Sequence, residues 1–280
     1  MARPQKEFKH DSLKFREENK IVFTSFSKRN FFLRFQVSAF VLTNNGVPIS
    51  PFMNFDYNLS GLVDKTLIRI ANNTMIKKAD ELWVFGEVSD GVLVEIFMAK
   101  RLRKPVRYFL LSEEASQIKE ISEPEVRLEE ISPWMWEWVM LGKNLGRWHP
   151  RLQSRKTYPL VYAVYSKRNF FWHMQISKFC LEKRVIPLNP FMLFKYFLGD
   201  LVPRDMVRKA NNNIIRIVDQ LWVFGEISDG VLAEIKMAKE RGSRVLIFKI
   251  VDGNPVKFRK ISPKGAVFEG DWGKYRQIIS

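Results

Sequence analysis

The chain repeats itself over the length of a domain. Residues 21–110 align with residues 160–249 at a constant offset of 139 without a gap, and 44 of those 90 positions are identical. Chance does not give such an alignment, so the pattern reads as a tandem duplication. A unit of this size is a folding domain, unlike a solenoid repeat of roughly 20–50 residues. A weaker echo between KEISEPEVRLEE (119–130) and RKISPKGAVFEG (259–270) carries the repeat towards the C-terminus. The polar, Pro-bracketed WHPRLQSRKTYP marks a boundary near 148–158. The expected organisation is a charged leader at 1–20, a first domain at 21–148 and a second at 158–280. The leader is read as a helix or a disordered arm.

The best-preserved stretch is LWVFGEVSDGVLVE (82–95), which returns as LWVFGEISDGVLAE (221–234). The apolar run Leu82–Gly86 between polar turn signals suits a buried parallel strand. Ser89 and Ser228 are good N-cap residues for the segment that follows. Strand, tight turn and helix would then place Gly91, Gly230, Glu95 and Glu234 at the carboxyl end of a sheet, where open α/β folds bind ligands.

The rest of each unit alternates in the same way. Strands are expected at 21–26, 47–50 and 106–110, and at 160–165, 185–188 and 245–250. Helices are expected at 31–42, 62–78 and 170–181, at 201–217, and after each LWVFG run as far as Arg101 and Arg241. This order predicts α/β architecture: two tandem doubly wound domains, Rossmann-like or flavodoxin-like, each with a parallel sheet covered on both faces.

Composition narrows the function classes. The single cysteine, Cys180, excludes a disulfide framework and fits a reducing cytoplasm. Three histidines leave little for a His-based metal site. No apolar run reaches the roughly 18 residues of a membrane span, and no secretory pattern is visible. The net charge of +16 favours polyanions or anionic small molecules, so nucleic acid is a candidate partner. The charge is spread, without a Lys/Arg-only block, so no dedicated nucleic-acid tail is inferred.

The run Ala79-Asp80-Glu81-Leu82-Trp83-Val84-Phe85-Gly86, then Ser89-Asp90-Gly91, Glu95-Ile96 and Ala99, resembles the nucleoside 2-deoxyribosyltransferase-like superfamily. It is most similar to the uncharacterised phage and bacterial members. The resemblance covers about 90 residues of each copy and is more specific for fold than for substrate. In enzymes of that family a glutamate four residues after a glycine attacks the anomeric carbon of a deoxynucleoside. Gly91/Glu95 and Gly230/Glu234 match that spacing. The resemblance implies Glu95 and Glu234 as nucleophiles, with Asp90 and Asp229 orienting the ring or assisting proton transfer. It also implies a glycosyl-enzyme ester that needs no metal or other cofactor. A carboxylate suits this work because it forms a sugar ester and stabilises oxocarbenium charge, and glycine lets a substrate approach the backbone closely.

The sequence departs from the family in several places. Ser89 and Ser228 stand where the enzymes carry an aspartate. Asn72 and Asn211 replace another; an amide there can hold base or sugar by hydrogen bonds but cannot accept a proton as a base. Phe97 and Lys236 follow the glutamates where the family has a small residue. The family's first-strand tyrosine corresponds to Phe23 in one copy and Tyr162 in the other. Lys28, Arg29, Lys167 and Arg168, in the two SKRN loops after strand one, are candidates for holding phosphate, with Arg69 and Arg208 as further ones. The same loop cations could instead pair with Asp80 and Asp219.

The expectation is an N-glycosidic-bond enzyme, hydrolase or transferase, acting on a nucleotide or nucleoside, with the second copy the better candidate. A non-catalytic nucleotide or nucleic-acid binding module, related to phage or host defence, stays open as the alternative. A structural assembly protein is the third reading. The two copies are expected to pack as an intrachain pseudo-dimer, with further homo-oligomers open. Trp134, Trp136 and Trp138 are read as an anchor between domains or subunits rather than as base-stacking residues.

Overall fold

The computed structural model describes residues 7–56, 58–112, 117–144, 146, 148–154 and 156–280. The first six residues of the expected leader lie outside the described residues. The architecture is mixed α/β, with two five-stranded, mostly parallel sheets flanked by helices. In the first half the strands are β1 (Lys20–Phe26), β2 (Gly46–Ile49), β3 (Glu81–Phe85), β4 (Val106–Leu111) and β5 (Ile118–Ile121). In the second they are β6 (Leu160–Tyr165), β7 (Ile186–Leu188), β8 (Gln220–Phe224), β9 (Arg244–Val251) and β10 (Lys257–Ile261). Spatial order is β2-β1-β3-β4-β5 in one sheet and β7-β6-β8-β9-β10 in the other.

The last strand of each sheet was not expected, and it runs antiparallel to its neighbour. The echoed segments start within it and continue in equivalent places. Val88 bridges Leu128 in one half and Ile227 bridges Phe268 in the other. The helices start later than the periodicity suggested. The SKRN loops wind into 3-10 turns at Lys28–Leu33 and Lys167–Trp172, and α-helix begins only at Arg34 and His173. Ser27 and Ser166 cap those turns by accepting from the backbone N–H of Arg29 and Arg168.

Strand alternation divides the cores. Phe23, Leu82 and Val84 face a core shared with Tyr162, Leu221 and Val223 of the other half. Their neighbours face outwards into separate aromatic clusters, one with Val22, Trp83, Phe85 and Phe109, the other with Val161, Trp222, Phe224 and Phe248. The halves are also joined by hydrogen bonds. Asn54 Nδ2 donates to Pro187 O at 2.7 Å, and Asn189 N donates to Asn54 Oδ1 at 3.1 Å. Asp80 and Asp219 accept from the backbone N–H of Ile21 and Leu160, at 2.7 and 2.8 Å, and so fix the start of each first strand against the third. The loop cations of the sequence expectation do not pair with them.

The segments before each half cross to the other half. Asn212 Nδ2, on the Arg204–Ile217 helix, donates to Ser12 O at 2.7 Å and Phe15 O at 2.9 Å. Asn73 Nδ2, on the Lys65–Lys78 helix, donates to Arg151 O at 2.9 Å. His10 Nδ1 accepts from Ser12 N and His149 Nδ1 from Arg151 N, each at 3.2 Å. These pairs keep the offset of 139: His10 with His149, Ser12 with Arg151, Leu13 with Leu152 and Asn73 with Asn212. The leader and the linker are thus equivalent arms, each seated on the half that does not follow it.

A candidate active site in the second half

Both glutamates are carried by the helix that follows the third parallel strand, Asp90–Arg101 in one half and Asp229–Glu240 in the other. Each helix starts beside the carboxyl end of its sheet. Ser228 caps with its side chain, accepting from Val231 N at 3.4 Å. Ser89 sits at the N-cap position without a side-chain bond. Asp90 and Asp229 each spend one oxygen on the next glycine's N–H, at 2.6 and 2.8 Å. They therefore brace the helix start, which favours a carboxylate there.

The surroundings of the two glutamates differ. Glu95 is 7 % exposed. Its Oε2 accepts from Ser25 Oγ, and its Oε1 is paired with Arg151 Nη1 of the crossing arm. Arg151 is itself buried and also donates through Nε to Asn73 Oδ1 at 3.1 Å. Burial pushes the imidazole of the capping His149 down; Asp90 opposes this, and the Arg151 and Arg69 charges add to it. A neutral ring keeps Nδ1 an acceptor for the Arg151 N–H. Phe23 is wholly buried in the shared core and reaches neither carboxylate oxygen by a hydrogen bond. Both oxygens of Glu95 are thus held by protein groups, which sets it apart from Glu234.

Among the described residues Glu234 has one hydrogen-bond partner, Tyr162, whose hydroxyl donates to Oε1 at 2.9 Å. The other two partners are missing because Val164 stands where Ser25 is, and Ser12 where Arg151 is. Glu234 lines a cleft of about 610 Å³ together with Asn211, Ser228, Asp229 and Gly230. Burial raises its carboxyl from the usual range to about 7, and the Tyr162 hydrogen bond pulls the other way. Burial, then the charge of Glu234, pushes the Tyr162 hydroxyl well up, so it remains a donor. Tyr162 is fully buried behind Glu234 and positions it rather than lining the cleft.

The cleft wall is charged. Lys167, Lys195, Arg204 and Arg208 line it, facing Asp200, Asp229 and Glu269. Arg208 is held at 2.8 Å by Asp205 and at 3.7 Å by Asp11 of the arm; Lys195 lies 3.4 Å from Asp56 of the other half. Arg168 lies outside this lining, 3.8 Å from Glu226 and from Glu269. Its counterpart Arg29 is tied to Glu129 at 2.8 Å and Glu130 at 2.6 Å, beside exposed Lys28. Asn211 Oδ1 is buried without a hydrogen-bond partner, and so is Asn72 Oδ1 in the first half.

Gly91 and Gly230 meet nothing: a Cβ at either would enter open space, with no neighbour to displace. The glycines that the fold itself requires are Gly86 and Gly225, with φ of +74° and +79° and a Cβ that would strike Asn30 or Asn169 of the SKRN loop. The Trp segment forms a short helix, Pro133–Met140, in which Trp134 and Trp138 stay exposed at 53 % and 41 % while Trp136 packs against Tyr108. Among the described residues, no group of three or more His, Cys, Asp or Glu could hold a metal ion. No described helix is long and apolar enough to cross a membrane.

A family model for a domain of unknown function (DUF7768) matches residues 161–248, the part of the second half that contains Tyr162, Asn211 and Glu234. No curated protein and no solved structure matches the chain.

Proposed function

We propose that the second half carries one active site for N-glycosidic bond chemistry on a nucleotide-like substrate, and that the first half is its structural partner. The two would descend from one duplicated domain of the deoxyribosyltransferase-like type. The observation that carries the reading is the Tyr162–Glu234 pair in an open cleft, set against a first-half twin with both oxygens occupied. Glu234, through the oxygen not bonded to Tyr162, attacks C1′ of the sugar. The C1′–N bond breaks, its electron pair stays on the base nitrogen, and water protonates that nitrogen. The resulting ester at Glu234 is released by water in hydrolysis or by a second base in transfer. Positive charge developing at C1′ favours the ionised carboxylate over the acid form. Lys167, Arg204 and Arg208 supply positive charge for a phosphate, and Asn211 Oδ1 is an acceptor for a sugar hydroxyl or base N–H.

A binding-only reading draws on Asn211, an amide that cannot act as a base. One experiment separates the two: incubation with a panel of deoxynucleotides and ribonucleotides, chromatography for released base, and intact-protein mass spectrometry. Base release lost in Glu234→Gln but kept in Glu95→Gln supports the enzyme. Nucleotide binding without base release, indifferent to Glu234→Gln, replaces it with a binding module.

A further inference from the structure

The crossing arms put a ligand-like group in one half only. Ser12 and Arg151 hold the same place in equivalent arms, with the same histidine cap and the same asparagine gripping their carbonyls. In the first half the Arg151 guanidinium bridges two acceptors, Glu95 Oε1 and Asn73 Oδ1. The twins of those acceptors are Glu234 and Asn212. The Ser12 hydroxyl is turned to His10 Nδ1, at 2.6 Å, and does not replace the guanidinium. Asn212 is 9 % exposed, and its Oδ1 is buried with no hydrogen-bond partner. Among the described residues Glu234 has only Tyr162 as a hydrogen-bond partner, and it lines the cleft together with Asn211, the chain neighbour of Asn212. A buried amide oxygen and a half-buried carboxyl left short of donors are costly unless a partner arrives.

We infer that the second half binds, between Glu234 and Asn212, a ligand carrying a planar, cationic N–H-rich group of the guanidinium or amidinium class, in the place Arg151 holds in the first half. A planar fork of N–H donors matches a carboxylate edge and reaches a second acceptor at the same time, which a compact ammonium does not. The inference shares Glu234 with the reading above but not its chemistry, so either can fail alone.

The probe is agmatine, a guanidinium on a four-carbon chain, with n-butylamine as the ammonium control, titrated calorimetrically at pH 8. The wild-type protein takes up one agmatine, at least about tenfold more tightly than butylamine. Glu234→Gln weakens agmatine by about tenfold or more. Ser12→Arg, which supplies the guanidinium from the arm, removes the site while leaving Glu234 in place. Equal affinity for agmatine and butylamine overturns the inference, as does agmatine binding indifferent to both substitutions. Should Ser12→Arg fail to fold, the Glu234→Gln comparison decides alone. Base release without agmatine binding sinks this inference and keeps the enzyme; agmatine binding without base release does the reverse.

Discussion

The two halves of this protein share a strand order and a signature helix, yet treat the same glutamate in opposite ways. In the first, Glu95 is closed off by Ser25 and by an arginine arriving from the linker. In the second, Glu234 leans on one tyrosine and faces a cleft. Three positions make the difference: Ser25 against Val164, Phe23 against Tyr162, and Arg151 against Ser12. Fold and surroundings therefore separate: the sheet and helix place a carboxylate, while its immediate neighbours decide whether it is closed off or faces the cleft.

The largest expected effect comes from breaking the closed half. Arg151→Ala leaves Glu95 as a buried carboxylate without its cation and costs about 3–5 kcal/mol by denaturant unfolding. Adding Glu95→Gln recovers part of that loss. A cost below about 1 kcal/mol would mean that the ion pair is not what closes the first half.

The open half is tested by pH. Glu234 has a folded-state pKa raised from 4.5 to about 7. A raised acid binds its proton more tightly when folded, so its contribution to stability is complete below 4.5 and lost as pH climbs through 7. Glu234→Gln removes that loss. The variant should match wild type near pH 4 and exceed it at pH 8 by on the order of 2–3 kcal/mol. A constant difference across this range would contradict the burial argument.

Glycines sharpen the comparison further. Gly225→Ala forces a side chain into a left-handed backbone and against Asn169, and should cost about 1–3 kcal/mol. Gly230→Ala meets open space and should change stability by less than about 0.5 kcal/mol. Any loss of ligand binding in Gly230→Ala then reports what enters the cleft, read by calorimetry on a normally folded protein.

The effect at the tyrosine is smaller than that at Gly225. Tyr162→Phe gives the second half the first half's aromatic residue. It removes one hydrogen bond, worth about 1 kcal/mol, and pushes the Glu234 carboxyl still higher, because that bond is what pulls it down. Isotope-edited NMR of the glutamate side chain reads that direction.

Much of the fold was legible because its strands are buried on both faces and read as continuous apolar runs, LWVFG above all. The reversed fifth strands were not: Ile118–Ile121 reads IKEI, short and half polar, as an edge strand does. The signature also located the glutamates and the sheet end they occupy. Phe23 against Tyr162 already sets the copies apart within the aligned block, but Arg151, which closes Glu95, lies outside that block, on an arm that crosses to the other half. A signal was present in His10-x-x-Leu13 and His149-x-x-Leu152, which continue the offset of 139 upstream. The crossing itself is tertiary and leaves no local pattern. The obligatory glycines, Gly86 and Gly225, carry no local signal of their role, because their positive φ and the approach of Asn30 and Asn169 arise only in the folded chain.

The central claim is that one carboxylate is open and its twin is locked. Carbodiimide labelling of the folded protein with a small amine, followed by peptide mapping, tests it without any substrate. The account predicts modification at Glu234 and protection at Glu95, with Glu95 becoming reactive in Arg151→Ala. Equal labelling of both glutamates in the wild-type protein, or labelling of Glu95 alone, would contradict it.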